Sequence, residues 1–329
     1  MPRRPLLNGL SRLVGRRVLL SVPVLLLASA ASFVFVRATI DPLASIRADT
    51  SPGAVAQERH RLGLDRPLAA QYGRWLGHFV RGDWGDGIAT GRPVGPEVRQ
   101  ALVNTGQLVL LATFLAAVLA LAAGTLCATR PGGALDHALS SLSIAGASMP
   151  LFWFALVAIE LCVFLPRQHL HLHEPLLYSA GMSGPGGGPV DYLRHAALPA
   201  LTLSVPLAGR WSAYQRVAMV DALSAPFART ARAFGIPPAR VLAHTLRGAL
   251  PPLVAVMAAD VGHLLGGVIV VETVFAWPGM GRLLYDSLLN GDTNVLLPWL
   301  MVAGGLVVAA NLAAEILHGV LDPRVRSAA

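Results

Sequence analysis

The sequence predicts an all-α integral membrane protein, and three observations carry that prediction. Of its 329 residues, 54% are hydrophobic and only 13% charged, with a mean hydropathy of +0.58; a soluble domain carries about 25% charged residues. The apolar residues gather into about six runs, and a helix crossing the bilayer core needs about 20. Finally, all 26 basic residues are Arg, and they crowd the flanks of the runs with few acids among them. A net charge of +8 also fits a nucleic-acid binder. Arg placed beside apolar runs instead obeys the positive-inside bias of membrane proteins, so no nucleic acid is expected as a partner.

Residues 1–17 hold Arg3, Arg4, Arg12, Arg16 and Arg17 with no acid, which predicts a cytoplasmic N-terminus. Residues 18–36 form the first run, interrupted only by Ser21, Ser29 and Ser32. Ala28-Ser29-Ala30 resembles a signal-peptide cleavage site. The apolar run continues beyond it through Phe33-Val34-Phe35-Val36, which favours an uncleaved first transmembrane helix.

Residues 37–100 are mixed in charge, rich in Gly and Pro, and carry Tyr72, Trp75, Phe79 and Trp84. They predict an extracytoplasmic insert of short helices, at about 59–64 and 69–80, separated by Arg66-Pro67. Residues 101–321 form the transmembrane core, with further runs at about 107–128, 139–165, 193–210, 253–276 and 296–321, and 322–329 form the tail. Placing the N-terminus inside puts Arg130, the six Arg from Arg210 to Arg247, Arg324 and Arg326 on the inner side with only Asp136, Asp221 and Asp322. In the 37–100 insert, nine Arg are offset by seven acids. Both termini and the polar segment 221–251 are therefore expected to be cytoplasmic.

That segment, which precedes the fifth run, is too regular for a linker. Arg229-Thr230-Ala231-Arg232-Ala233-Phe234-Gly235 reads as a helix closed by a glycine, and Ile236-Pro237-Pro238 opens a second helix. Small residues at the corner would let another protein approach the backbone closely.

No catalytic constellation stands out: no phosphate-cradling Gly-Lys-Ser/Thr loop, nucleophile elbow or zinc-protease helix. If the protein uses ATP, another chain must bind it. His169, His171 and His173 share a face if extended, but three imidazoles without a fourth ligand make a loose site, and no metal is expected there. Cys127 and Cys162 lie in apolar runs and read as inert thiols. Of the acids inside runs, Glu160 and Glu315 sit near run ends, where snorkelling is cheap. Asp260 is deeper, with His263 on the same helical face; it either lines a polar path or bonds a neighbouring helix. Glu272 precedes Trp277-Pro278-Gly279, an aromatic anchor and turn that reads as a short outer gate.

Several separate stretches carry a family resemblance. Arg61-Leu62-Gly63-Leu64-Asp65-Arg66-Pro67-Leu68 is followed by Arg81-Gly82-Asp83-Trp84-Gly85 and Thr90-Gly91-Arg92-Pro93-Val94. Later come His195-Ala196-Ala197-Leu198-Pro199, the stretch from Gly266-Gly267 through Glu272 to Gly279, and Leu321-Asp322-Pro323-Arg324. In this order and over nearly the whole length, the chain resembles the permease subunits of binding-protein-dependent ABC importers, in the dipeptide, oligopeptide and nickel branch. The resemblance implies that 229–235 is the EAA-type coupling helix, which docks on an ATPase subunit. It departs from the family pattern in Arg229, where the first position is acidic, in Phe234, where a basic residue often precedes the glycine, and at Ile40-Asp41, which lacks a preceding glycine.

The resemblance also implies a bacterial inner-membrane location, and alternating access at an interface with a second, homologous permease. It implies two ATPase subunits that hold ATP and Mg, an extracytoplasmic substrate-binding protein, and no enzyme activity in this chain itself. Peptides are the expected solute, with nickel or another small solute as the alternative. From another class, a proton-coupled transporter using Asp260 and His263 stays open.

Overall fold

A computed structural model describes residues 4–40, 65–169, 175–184, 186–261 and 264–321, together with Gly53 and His60. Apart from His60, the expected helix at 59–64 therefore lies outside the described residues, as do His171, His173, His263 and the 322–329 tail. The described secondary structure is helical, apart from one isolated bridge between Asp86 and Pro93. Five helices among the described residues are long and apolar enough to cross a membrane. The chain is an all-α integral membrane protein.

The helices are α1 (Arg4–Thr39), α2 (Leu68–Val80), α3 (Val94–Thr129), α4 (Ala134–Ser148), α5 (Leu151–Ile159), a π turn (Glu160–Phe164), α6 (Leu165–His169), α7 (Pro189–Ser224), α8 (Pro226–Ala233), α9 (Pro238–Val261), α10 (Leu264–Val274), α11 (Met280–Leu289) and α12 (Thr293–Leu321). The run at 139–165 divides at Pro150, which is extended (φ −60°, ψ 132°); proline pushes the residue before it out of the helical region and starts helices well. The π turn falls just before Pro166, whose missing N–H leaves the helix one donor short. The run at 253–276 is shared between α9 and α10, and the apolar stretch able to span is Pro238–Asp260.

Six runs were expected and five spanning helices are found because of α7. That helix contains the 193–210 run but carries Pro199, Pro206, Thr202, Ser204 and Arg210. It is also the most enclosed helix, burying Leu198, Thr202, Ser204, Leu207, Gly209 and Trp211 among others. A helix covered by other helices need not be as apolar as lipid, and small residues let its neighbours approach.

The chain forms two compact units. The first comprises 1–103 and 282–312. Its core is Phe33, Val36 and Leu297, with Tyr72, Trp75 and Leu300 against it. Phe33, Tyr72, Trp75, Phe79 and Trp84 form a continuous aromatic row, each ring centroid within 5.9 Å of the next; such pairs add to the area they bury. Tyr72 Oη and Ser29 Oγ are 2.7 Å apart, tying α2 to α1. Asp292 accepts from Ala89 N at 3.0 Å and from Val295 N at 3.2 Å, capping α12 while holding the insert. Outward, α1 exposes Leu19, Leu20, Leu27 and Phe35, the surface expected of a helix whose solvent is lipid.

The second unit comprises 104–281 and 313–329. One core layer joins Leu108, Ala155, Leu198, Val268, Val271 and Trp277; a second joins Ala116, Ala120, Leu207, Trp211 and Leu253. Helices α4 and α7 meet closely, since a Cβ at Gly209 would overlap the Ser143 carbonyl and one at Gly146 would meet Val205 Cγ1 at 2.8 Å. Ser143 Oγ and Ser212 Oγ, 2.9 Å apart, bond across the same seam.

Candidate functional site

All of the site geometry lies within the second unit. Helix α8 follows α7 after the extended Ala225, with Pro226 at its first turn. Arg229 Nε donates to Ser224 O at 3.0 Å and Arg232 Nη2 to Leu223 O at 2.8 Å. Two guanidinium groups thus cover the last carbonyls of α7, where the helix dipole favours positive charge. Ala228 is fully buried beneath α8, whereas Phe227 and Phe234, seven residues apart on one face, are exposed.

The corner closes with Ile236 N donating to Ala231 O at 3.1 Å and Gly235 N to Arg232 O at 3.0 Å. This nested pair is a Schellman closure, and it requires a left-handed residue. Gly235 supplies it at φ +72°, and open space lies where its side chain would stand. Pro237 then takes the first carbonyl position, accepting from Arg240 N at 2.9 Å, and α9 begins. Thus 229–235 runs from within helix α8 to an open glycine corner, and the second helix, α9, follows from Pro238. The second helix does not end at Pro251-Pro252 but continues to Val261.

Upstream, the α7 helix that feeds this corner is tied to α4. Asp136 accepts from both Nε and Nη2 of Arg216 at 2.6 Å, from Gly132 N at 2.8 Å and from Ser140 Oγ at 3.3 Å. The bidentate Arg216 first, and then the Gly132 bond, hold the Asp136 carboxyl well below the usual carboxylate range; the same bond raises Arg216. One residue before Arg216, Gln215 is fully buried, and neither amide atom has a hydrogen-bond partner. It presses on Gly124, where a Cβ would meet Gln215 Cβ at 2.7 Å.

Asp260 is buried and joins α9 to α7, accepting from Arg210 Nη1 at 2.9 Å and from Trp211 Nε1 at 2.8 Å. The bond to a neighbouring helix that the sequence allowed is present here.

Glu272 has no exposure at all. It accepts from Thr105 Oγ1 at 2.5 Å and from Gly281 N at 2.6 Å, and Met280 N donates to Thr105 Oγ1 at 2.8 Å. Asn104 Nδ2 donates to Pro278 O at 2.7 Å, while Trp277 Nε1 donates to Asn104 O at 3.1 Å. A Cβ at Gly279 would overlap the Glu272 carboxylate, and one at Gly281 would overlap Ile269 Cα. Ala276 takes the left-handed conformation at φ 50°, which costs a residue with a Cβ about 1–2 kcal/mol. Glu272, Trp277, Pro278 and Gly279 are therefore one clamped turn on Asn104 and Thr105 of α3.

His169 closes α6 and is exposed. Among the described residues no three His, Cys, Asp or Glu side chains gather as a metal site. Cys127 and Cys162 are free thiols.

Comparison with known proteins places this architecture. The family model described as "Binding-protein-dependent transport system inner membrane component" matches residues 117–327, and its N-terminal companion matches 10–100. The chain belongs to this family of inner membrane components. A di/tripeptide transport system permease protein of Pseudomonas aeruginosa is 34% identical, over 95% of this chain and 98% of its own. An oligopeptide transport system permease protein of Mycobacterium tuberculosis is 35% identical over 96% and 99%. The dipeptide transport system permease protein of Escherichia coli is 33% identical over 84% and 86%.

As an inner membrane component of a binding-protein-dependent transport system, the chain is a multi-pass membrane protein that works with a binding protein. The residues that sequence reasoning missed in this permease are the partners. Asp136 and Arg210 counted only as inner-side charges, and Thr105, Asn104 and Trp211 carried no local signal.

Proposed function

We propose that the chain is a permease subunit of an importer for di- and oligopeptides. The observation that carries this reading is that relatives matching over most of their length are named for di/tripeptide, oligopeptide and dipeptide transport. In it, this chain and a second, homologous permease form the translocation path. Two separate ATPase subunits hold ATP and Mg, and a binding protein delivers peptide to the outer face. Both termini and the α8–Gly235–α9 corner face the cytoplasm, consistent with the Arg excess there. ATP-driven closure of the ATPases moves the α8 corners, which rock the permeases between outward and inward openings.

The α8 corner suits docking because its small residues and open glycine leave the backbone accessible. The test is growth of a peptide-dependent strain carrying the full transporter, with this chain native, deleted or bearing Gly235→Trp. Deletion should abolish peptide-supported growth. Gly235→Trp should leave the chain in the membrane and ATP hydrolysis running, with uptake lost. Uptake by the purified chain alone in vesicles would overturn the reading.

A further inference from the structure

The sign of charge around the α8 corner specifies what it docks against. No Asp or Glu occurs from 222 to 259, whereas Arg229, Arg232, Arg240 and Arg247 all fall within that interval. Among the described residues, Arg229 and Arg232 donate to main-chain carbonyls and no carboxylate meets either of them. Those bonds fix the two guanidinium groups beside α8 while leaving each a full uncompensated charge. Next to them stand exposed apolar side chains: Phe227 is 52% exposed, Phe234 82% and Ile236 40%. The corner thus shows an apolar knob bordered by two held cations.

We propose that the partner surface receiving this corner is an apolar groove rimmed by carboxylates, so that docking is selected by charge of opposite sign. This rests on the reading that the corner docks on an ATPase subunit. A groove suited to an acidic helix of this kind would reject α8 through like-charge juxtaposition. The alternative source of negative charge is anionic lipid. Three features favour a protein. The arginines are pinned rather than free to follow headgroups, the Gly235 backbone is open to close approach, and Phe227 and Phe234 share one face at helical spacing, as a groove requires.

The experiment uses the whole transporter, purified with its ATPase subunits in neutral detergent, and reads the fraction of ATPase retained. For the native complex, raising NaCl from about 0.05 to about 0.5 M shortens the screening length and should release ATPase. Salt-independent retention overturns the proposal without any variant being made. Arg229→Glu with Arg232→Glu should lower retention by about tenfold or more, since like charges then oppose the rim. Exchanging the facing carboxylates of the ATPase groove for Arg should restore it.

If retention ignores both salt and charge reversal while Gly235→Trp abolishes it, docking stands and the acidic rim falls. If Gly235→Trp and the charge variants all retain ATPase fully, the docking reading itself falls. If charge reversal acts only in nanodiscs containing phosphatidylglycerol and not in neutral detergent, the arginines serve lipid and the proposal is overturned.

Discussion

Thr105 donates its hydroxyl to Glu272 at 2.5 Å across 167 positions of sequence, inside a buried site. The carboxylate's second oxygen takes the Gly281 N–H at 2.6 Å, so one side chain fastens both α3 and the turn that follows α10.

Glu272→Ala should therefore loosen the 277–281 turn. Two buried donors lose their acceptor, and each such loss costs about 1–3 kcal/mol. Thermal unfolding in detergent should show a clear fall in Tm, with proteolysis appearing first near the turn. Glu272→Gln, which keeps an acceptor oxygen, should fall less; equal losses would place the weight on shape alone.

Asp136→Asn tests the tie between α4 and α7. The carboxyl of Asp136 is held below its ordinary range by Arg216, so its contribution is complete above the unfolded-state value near 3.9 and fades as pH drops through the lower folded-state value. The native chain should be more stable than Asp136→Asn at neutral pH. The gap should narrow as the pH is taken below 4, read by unfolding midpoints across pH. A constant gap would remove the ion pair from the explanation.

Gln215→Met should raise stability. The buried amide has no partner, and an apolar side chain of similar size removes an uncompensated polar group worth about 1–3 kcal/mol. The measurement is denaturation of the purified variant together with peptide uptake. A more stable variant that transports poorly would assign Gln215 a role in function.

Asp260→Ala leaves Arg210 and Trp211 Nε1 without their acceptor and should cost about 1–3 kcal/mol. Replacing both members of the ion pair, Arg210→Leu with Asp260→Leu, should recover only the share of the loss that belongs to Arg210, because Trp211 Nε1 still lacks its acceptor. Recovered uptake in the double variant marks the pair as a helix-to-helix tie, whereas stable protein without uptake marks Asp260 as part of the path.

Local chemistry was legible in the sequence. The apolar runs that became α1, α3 and α12, and the Gly235 corner with Pro238 opening α9, depend on residues within a few positions of each other. Long-range pairing was not legible: Arg216 lies 80 positions from Asp136 and Arg210 lies 50 from Asp260, and no periodicity marks which charges will meet. The enclosure of α7 was hidden for the same reason, because hydropathy measures a helix against lipid while its Thr202, Ser204 and Gly209 are set against neighbouring helices. Glu272 shows the same limit: the sequence marks a carboxylate beside an aromatic turn, but not that Thr105, 167 positions away on α3, donates to it.

The persistence of α9 through Pro251-Pro252 has a mechanical meaning. At about 1.5 Å per residue, its 24 residues make a bar about 36 Å long, with the glycine corner at one end and Asp260 at the other. Pivoting it by about 5° at the corner sweeps the far end through about 3 Å, comparable with a hydrogen-bond length. On the proposed docking reading, a displacement of that size would be enough to part Arg210 from Asp260, and a small push at the corner would be felt as a broken bond deep in the bundle.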